Sequence, residues 1–109
     1  KMLSSSNRQI MKTAAIVALQ HHEKWDGTGY PNGLKGEEIN LFARITTIAD
    51  VYDALINDRV YRKSWSEEKT LEYIKQNSGL FFDPLLLKVF LDNYDEVIKI
   101  KSNYSEDTL

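Results

Sequence analysis

The two histidines of the chain are adjacent, and their surroundings make them the first candidates for chemistry. His21 and His22 follow an apolar stretch, precede a glycine-rich segment and are followed at once by the carboxylate of Glu23. Two imidazoles about 100° apart on a helix would face one cleft, where their ring nitrogens could bind a metal ion. The plainer alternative is that one histidine packs in the core while the other lies on the surface. The apolar helix, the carboxylate and the glycines favour the metal site.

Asp50 is the carboxylate that a mixed histidine and carboxylate centre would need as a hard oxygen ligand. It lies opposite the apolar stripe of a predicted helix, where an aspartate is usually only solvated. The small residues beside it, Ala43 and Ala54, indicate that another group packs close to this face. Asp53, one turn further on, would either bind the same metal or cap a neighbouring backbone group.

A basic patch follows the same helix in a chain that is acidic overall. Arg59, Arg62 and Lys63 surround Tyr61. Guanidinium groups bind phosphate oxygens through two parallel hydrogen bonds, and an aromatic ring can stack on a base. Basic residues after a helix also interact favourably with the negative end of its dipole. Both interpretations, phosphate binding and helix capping, stay open on composition alone.

Turn residues divide the chain into four predicted helices, so the predicted fold class is all-α. The expected helices span about Arg8 to Glu23, Asn40 to Ile56, Ser66 to Gly79 and Asp83 to Ile100. Between Lys24 and Asn40 lie four of the five glycines and one of the two prolines, which predicts a long shaped loop. The last residues, Lys101 to Leu109, are predicted to form a frayed tail.

Composition excludes several classes of function. The chain has 109 residues, of which 42% are hydrophobic and 28% charged, as expected for one globular domain. With 14 basic and 16 acidic residues, it has no bulk positive field for a nucleic acid polymer or an anionic membrane. It contains no cysteine, which excludes disulfides and thiolate zinc sites and makes the cytoplasm the expected location. No apolar run long enough for direct membrane insertion occurs.

One long motif resembles the signature of HD-GYP domains, the bacterial cyclic di-GMP phosphodiesterases of the HD superfamily. Residues 21–39 read HHEKWDGTGYPNGLKGEEI. The resemblance continues through ARI at 43–45, IADVYDAL at 48–55, DRVYR at 58–62 and GLFFDP at 79–84. It implies a helical bundle of HD-domain type, with about four helices and a long glycine-rich loop after the first. The implied activity is metal-dependent hydrolysis of cyclic di-GMP to pGpG or GMP.

The resemblance also implies a bi- or trinuclear iron or manganese centre. In that picture, His21 and His22 match the paired histidine ligands of the family, and Asp50 matches the closing aspartate ligand. Glu23 and Asp53 would support these ligands from the second coordination sphere.

Two further segments match positions with known roles in the family. Arg59 and Arg62 match the basic positions that hold substrate phosphates, although Val60 stands where the family usually has proline. Gly29, Tyr30 and Pro31 match the loop that shapes the pocket and contacts diguanylate cyclase (GGDEF) domains.

The family's His-Asp dyad and the lysine that follows it have no counterpart here, because no histidine precedes His21. We therefore interpret residues 1–100 as the C-terminal part of a single HD-GYP domain, with an upstream sensor or receiver domain in the parent protein. Such a fragment is expected to lack a complete metal centre and to hydrolyse nothing alone. The alternative is a non-catalytic signalling module that binds a partner through the Gly29–Pro31 loop. An uncovered face on the first helix also predicts a homodimer or helix exchange.

Overall fold

The fold is all-α, as the sequence predicted. The computed structural model describes residues 5–107, and within that range it contains five α-helices, one short 3-10 helix and no strand. The α-helices are α1 (Ser5–Gln20), α2 (Leu41–Ile56), α3 (Glu67–Gln76), α4 (Pro84–Asp92) and α5 (Tyr94–Asp107); the 3-10 helix spans Gly36–Glu38. No helix in this part of the chain is long and apolar enough to cross a membrane.

The predicted starts of three helices are confirmed by their capping hydrogen bonds. The side chains of Asn40, Ser66 and Asp83 each accept a hydrogen bond from a backbone N–H in the first turn that follows. Pro84 occupies the first turn of α4, where its missing N–H costs no helical hydrogen bond. The Asn40 cap thereby fixes the end of the loop that follows the histidine pair.

The helix ends differ from the prediction in three places. Helix α1 stops at Gln20, so the histidine pair lies just beyond it and not within it. Helix α3 stops at Gln76, and Gly79 adopts its positive φ of 81° in the turn that follows, not at the helix end. The predicted fourth helix is two helices, because Asn93 donates from both its backbone and its side chain to the carbonyl of Val89. A side chain that competes for a helical carbonyl ends the regular hydrogen bonding there.

Helix α5 continues through residues 101–107, most of the segment expected to be a tail. Residues 108 and 109, the end of that predicted tail, lie outside the described residues.

The hydrophobic core lies between α2, α3 and α4. Its buried members are Ile48, Tyr52, Ile74, Phe82 and Leu87. A hydrogen-bonded chain joins three helices at its edge: the Tyr52 and Tyr94 hydroxyls lie 3.0 Å apart, and Tyr94 donates to Glu67 at 2.8 Å. Burial, with these hydrogen bonds, raises the pKa of the Tyr94 phenol above its ordinary value.

Helix α1 stands outside this core. It packs against α2, but none of its described side chains is buried, and Ile10, Met11 and Leu19 are 63%, 60% and 55% exposed. This helix therefore has the uncovered apolar face that the sequence predicted, within the described part of the chain. Helix α1 packs on α2 and ends directly before the histidine pair.

Candidate functional site

The loop between α1 and α2 begins with the histidine pair, and its residues 23–40 fold back onto the backbone of residues 22–24. We call residues 23–40 the collar. Its anchor is Glu23, which is 1% exposed. The two carboxylate oxygens of Glu23 accept hydrogen bonds from the backbone N–H groups of Asn32 and Leu34, each at 2.8 Å. A buried carboxylate is tolerated only with such partners. Glu23 therefore ties the backbone of Asn32 and Leu34 to the position directly after the histidine pair.

Gly29 is the point where the collar approaches that backbone most closely. A Cβ atom at this position would lie against the carbonyl oxygen of His22 and only 2.5 Å from the amide nitrogen of Lys24. The N–H of the next residue, Tyr30, donates to the same His22 carbonyl at 3.2 Å. Only glycine fits here, for steric reasons and not for its φ angle.

The collar is also fastened to the rest of the fold. The backbone N–H groups of Trp25 and Asp26 donate to carbonyl oxygens of the turn before α4, at 3.2 and 2.8 Å. Arg44 of α2 donates from Nε to the carbonyl of Ile39, and its Nη1 lies 2.7 Å from the carboxylate of Asp83. Because Asp83 also caps α4, this ion pair connects the collar, α2 and α4.

The first histidine has a fixed ring orientation. Nδ1 of His21 lies 2.9 Å from the carbonyl oxygen of Ala18 and 3.2 Å from that of Val17. A carbonyl only accepts, so Nδ1 carries a proton; in the neutral tautomer that this contact selects, Nε2 has the free lone pair that binds metals. Thr47 of α2 donates to the His21 carbonyl at 3.0 Å and thereby fixes the backbone as well.

The second histidine is held by the collar. The rings of His22 and Tyr30 are stacked, with centroids 4.9 Å apart and planes 16° from parallel. The two histidine rings have centroids 4.0 Å apart. Tyr30 is 60% exposed and Pro31 is exposed too, so the outer surface of this loop is free to meet another molecule.

Two adjoining hollows share the histidine pair, and we name them by the walls that distinguish them. The aspartate hollow, of about 230 Å³, is lined by His21, His22, Thr47, Asp50, Val51 and Ala54. The collar hollow, of about 280 Å³, is lined by His21, His22, Glu23, Lys24, Tyr30, Thr47, Val51 and Phe81. The three predicted metal ligands thus line one hollow, while the predicted loop residue Tyr30 lines the other.

The donor groups of these hollows do not by themselves form a metal site. Among residues 5–107, no three histidine or carboxylate side chains lie close enough together to hold a metal ion. His22 and Asp50 are exposed, and the carboxylate of Glu23 is already engaged by the collar. The described residues therefore do not fit a bi- or trinuclear centre without further ligands.

Asp53 and Arg59 engage each other beyond the end of α2. Nη2 of Arg59 lies 3.4 Å from the Asp53 carboxylate, which also accepts a hydrogen bond from the Asn57 side chain at 2.8 Å. Both partners of the ion pair are exposed, so it contributes little to stability and is easily exchanged for another ligand.

Arg62 is engaged more firmly than Arg59. Its guanidinium donates to the carbonyl oxygen of Ala54, in the last turn of α2, and to that of Lys63 at 2.7 Å. The helix-capping interpretation of the basic patch therefore describes Arg62 in this structure. Arg59 and Arg62 also exchange two backbone hydrogen bonds, which leaves Val60 and Tyr61 at the exposed tip of a tight turn.

Four residues that line the two hollows were not selected from the sequence: Thr47, Val51, Lys24 and Phe81. Thr47 was overlooked although it lies one helical turn before Asp50 and hence on the same face of α2. Lys24 directly follows the His-His-Glu triplet, and a cation beside a predicted metal site was the available signal. Phe81, distant in sequence, carried no such signal.

Comparison with known proteins agrees with this geometry. A family model described as "HD domain" matches residues 1–86. The chain is 43% identical over 103 residues to a 3'3'-cGAMP-specific phosphodiesterase of Vibrio cholerae, covering 94% of this chain and 20% of the relative. It is 39% identical to a cyclic di-GMP phosphodiesterase response regulator of Xanthomonas campestris, covering 96% and 28%. A cyclic di-GMP phosphodiesterase of Thermotoga maritima is 37% identical, with 99% and 30% covered.

A solved structure shows the same fold. The crystal structure of a cyclic GMP-AMP specific phosphodiesterase of V. cholerae superposes with a TM-score of 0.69 at 31% identity, covering 83% of this chain and 20% of that one. The chain spans between 20% and 30% of the length of the three relatives. By its family match, its helices and its histidine pair, the chain belongs to the HD domain family.

Proposed function

We propose that residues 1–100 are the C-terminal part of an HD-GYP domain, in a protein that hydrolyses cyclic di-GMP to pGpG or GMP. The observation that carries this proposal is the common lining of one hollow by His21, His22 and Asp50. The names of the relatives support it, since they are phosphodiesterases that act on cyclic di-GMP or 3'3'-cGAMP.

The described residues would bind and orient the substrate. His21 presents a free Nε2, and the stack with Tyr30 holds the ring of His22. Arg59 and Arg62 would hold the substrate phosphates: Arg59 can turn from Asp53 to a phosphate, and Arg62 would reach a phosphate from its present contacts with the end of α2. Metal dependence is a property of the HD domain family. We assign His21, His22 and Asp50 as part of an iron or manganese ligand set that groups outside the described residues complete.

The direct test is hydrolysis of cyclic di-GMP and of 3'3'-cGAMP, with manganese or iron added. The isolated chain and the full-length protein that carries it would be assayed side by side. We expect turnover by the full-length protein, none by the isolated chain, and a loss of about 100-fold or more in His22→Ala and Asp50→Ala. Asp92→Ala is the matched control, because Asp92 is an exposed carboxylate paired with Lys88. Equal turnover in all three variants would contradict the proposal.

We also propose partners for the exposed surfaces. The outer face of Gly29–Pro31 would contact a diguanylate cyclase domain, and an upstream sensor or receiver domain would control the protein. The exposed apolar residues of α1 would pair with a second copy of the isolated chain. Light scattering tests the pairing: a dimer is expected for the isolated chain, and Ile10→Ser with Met11→Ser should return it to a monomer. The cytoplasmic location stays a prediction from the cysteine-free sequence.

A further inference from the structure

Lys24 lines the collar hollow, and both its backbone and its side chain are held by contacts. Its backbone lies in the tightest part of the collar, since its carbonyl accepts from the N–H of Gly27 at 2.8 Å and its amide faces Gly29. Its side chain is half-buried, with Nζ 4.2 Å from the centroid of the Phe81 ring. A cation over an aromatic face is attracted by the ring electrons. The ammonium is therefore held beside the histidine pair and does not move freely in solvent.

The charge of Lys24 is not neutralised by a short ion pair. None of the salt bridges among residues 5–107 involves Lys24. Lys24 acts electrostatically on Asp26, whose pKa is lowered mainly by hydrogen bonds from Thr28 and to a smaller extent by Lys24. The N–H donors of Lys24 are thus available to a ligand, in contrast to the guanidinium of Arg62.

The collar hollow suits one nucleotide unit with a phosphate. At about 280 Å³ it lies near the lower limit of small-molecule sites, which begin at roughly 300 Å³. Its walls combine the rings of Tyr30 and Phe81 with the ammonium of Lys24. Aromatic faces with one cation are the surroundings in which proteins bind a base and its phosphate.

We propose that Lys24 binds a phosphate group of the cyclic dinucleotide in the collar hollow. The inference rests on the proposed function for the identity of the ligand. It adds a phosphate contact to those of Arg59 and Arg62 that the motif suggested, neither of which lines the collar hollow.

The test is a binding measurement on the isolated chain without metal, in buffer with a chelator. Cyclic di-GMP, GMP and inorganic phosphate are titrated separately, with calorimetry for Kd and NMR for the ring protons of Phe81 and Tyr30. We expect Lys24→Met to weaken binding of cyclic di-GMP about tenfold, since one charge-assisted hydrogen bond is lost. Lys24→Arg, which keeps the charge, should stay within about threefold. Lys12→Met is the matched control, because Lys12 is exposed on α1 and lines neither hollow.

The ring protons report on the wild-type chain and so do not depend on the folding of any variant. Shifts at Phe81 and Tyr30 with cyclic di-GMP support the proposal. Equal affinities for Lys24→Met and Lys12→Met, or a wild-type titration without shifts at Phe81, would overturn it. If Arg59→Ala still weakens binding in that case, the proposed function stands and only the Lys24 contact is wrong. A wild-type chain that binds none of the three probes would contradict both.

Discussion

The two loops at the ends of helix α2 are built in opposite ways. The collar, at its N-terminal end, is held by a buried carboxylate, a glycine that touches backbone and an ion pair between Arg44 and Asp83. The basic turn, residues 57–65 at the C-terminal end, is held mainly by contacts at the surface. Its tip, Val60 and Tyr61, is almost fully exposed.

The collar is held by contacts within the chain, whereas the basic turn exposes side chains that a ligand or a partner could bind. A loop whose buried side-chain polar groups find partners inside the chain is fixed before any ligand arrives, as preorganised sites require. The basic turn leaves the side chains of Arg59 and Tyr61 in solvent, where only a ligand or a partner would order them. We therefore expect substitutions of the buried groups of the collar to change stability, and those of the exposed side chains of the basic turn to change binding.

The largest effect is expected for Gly29→Ala. Its new methyl group would overlap the backbone of His22 and Lys24, so the collar must open, at a cost of about 3 kcal/mol in the free energy of unfolding. Urea unfolding followed by circular dichroism measures this cost. The control is Gly36→Ala, which has a positive φ of 60° but open space around it and should cost only about 1 kcal/mol. Equal costs for the two variants would mean that the collar does not close as described.

Glu23→Ala should be the next most damaging change. It leaves the backbone N–H groups of Asn32 and Leu34 without their acceptor in the interior, and we expect a loss of about 2 kcal/mol. Glu37→Ala, an exposed carboxylate in the same loop, should change the unfolding free energy by less than about 0.5 kcal/mol. The same urea titration serves both variants. If Glu37→Ala proved as harmful, net charge and not the buried clamp would explain the result.

Arg62→Ala should have a smaller and more local effect. It removes two hydrogen bonds to carbonyl oxygens and is expected to cost about 1 kcal/mol. The loss should appear as faster amide hydrogen exchange at Trp65, whose N–H donates to Leu55, while the exchange of collar amides stays unchanged. Faster exchange throughout the collar would show that the two loops are coupled, which contradicts their separate stabilisation.

The smallest effect concerns the pH dependence of the collar surface. Hydrogen bonds from the Thr28 hydroxyl and N–H hold the pKa of Asp26 below its ordinary value. A carboxylate with a lowered pKa stabilises the fold at any pH above the pKa of the unfolded state, which is about 4. This stabilisation disappears as the pH falls through the lowered pKa. Thr28→Val should move the Asp26 pKa upwards, as a carbon-detected NMR titration would show. An unmoved pKa would mean that the hydroxyl contact is not formed.

Local signals in the sequence predicted part of this molecule well. The helix starts at Asn40, Ser66 and Asp83 depend on a side chain and the next few residues, so short-range rules suffice for them. The split at Asn93 was missed, because a single asparagine within a helical pattern gives a weak signal.

The construction of the site was less predictable than its location. The motif located the histidine pair and Asp50 beside one hollow, but it did not reveal that the Glu23 carboxylate serves as a structural clamp. That role depends on a loop returning over nine and eleven residues, a closure that no local pattern describes. Arg62 similarly has two plausible roles in sequence; its contacts with Ala54 and Lys63 show that it holds the turn, and its phosphate contact stays a prediction.

The central claim is that this chain completes the collar but not the metal centre. The most direct test is the metal content of the isolated chain by mass spectrometry, after incubation with manganese and iron, beside the same chain carrying His22→Ala. Because no three donor side chains converge among residues 5–107, we predict far less than one equivalent of metal in both proteins. One or more equivalents in the wild-type chain, lost in His22→Ala, would contradict the claim and show that the chain assembles a complete site.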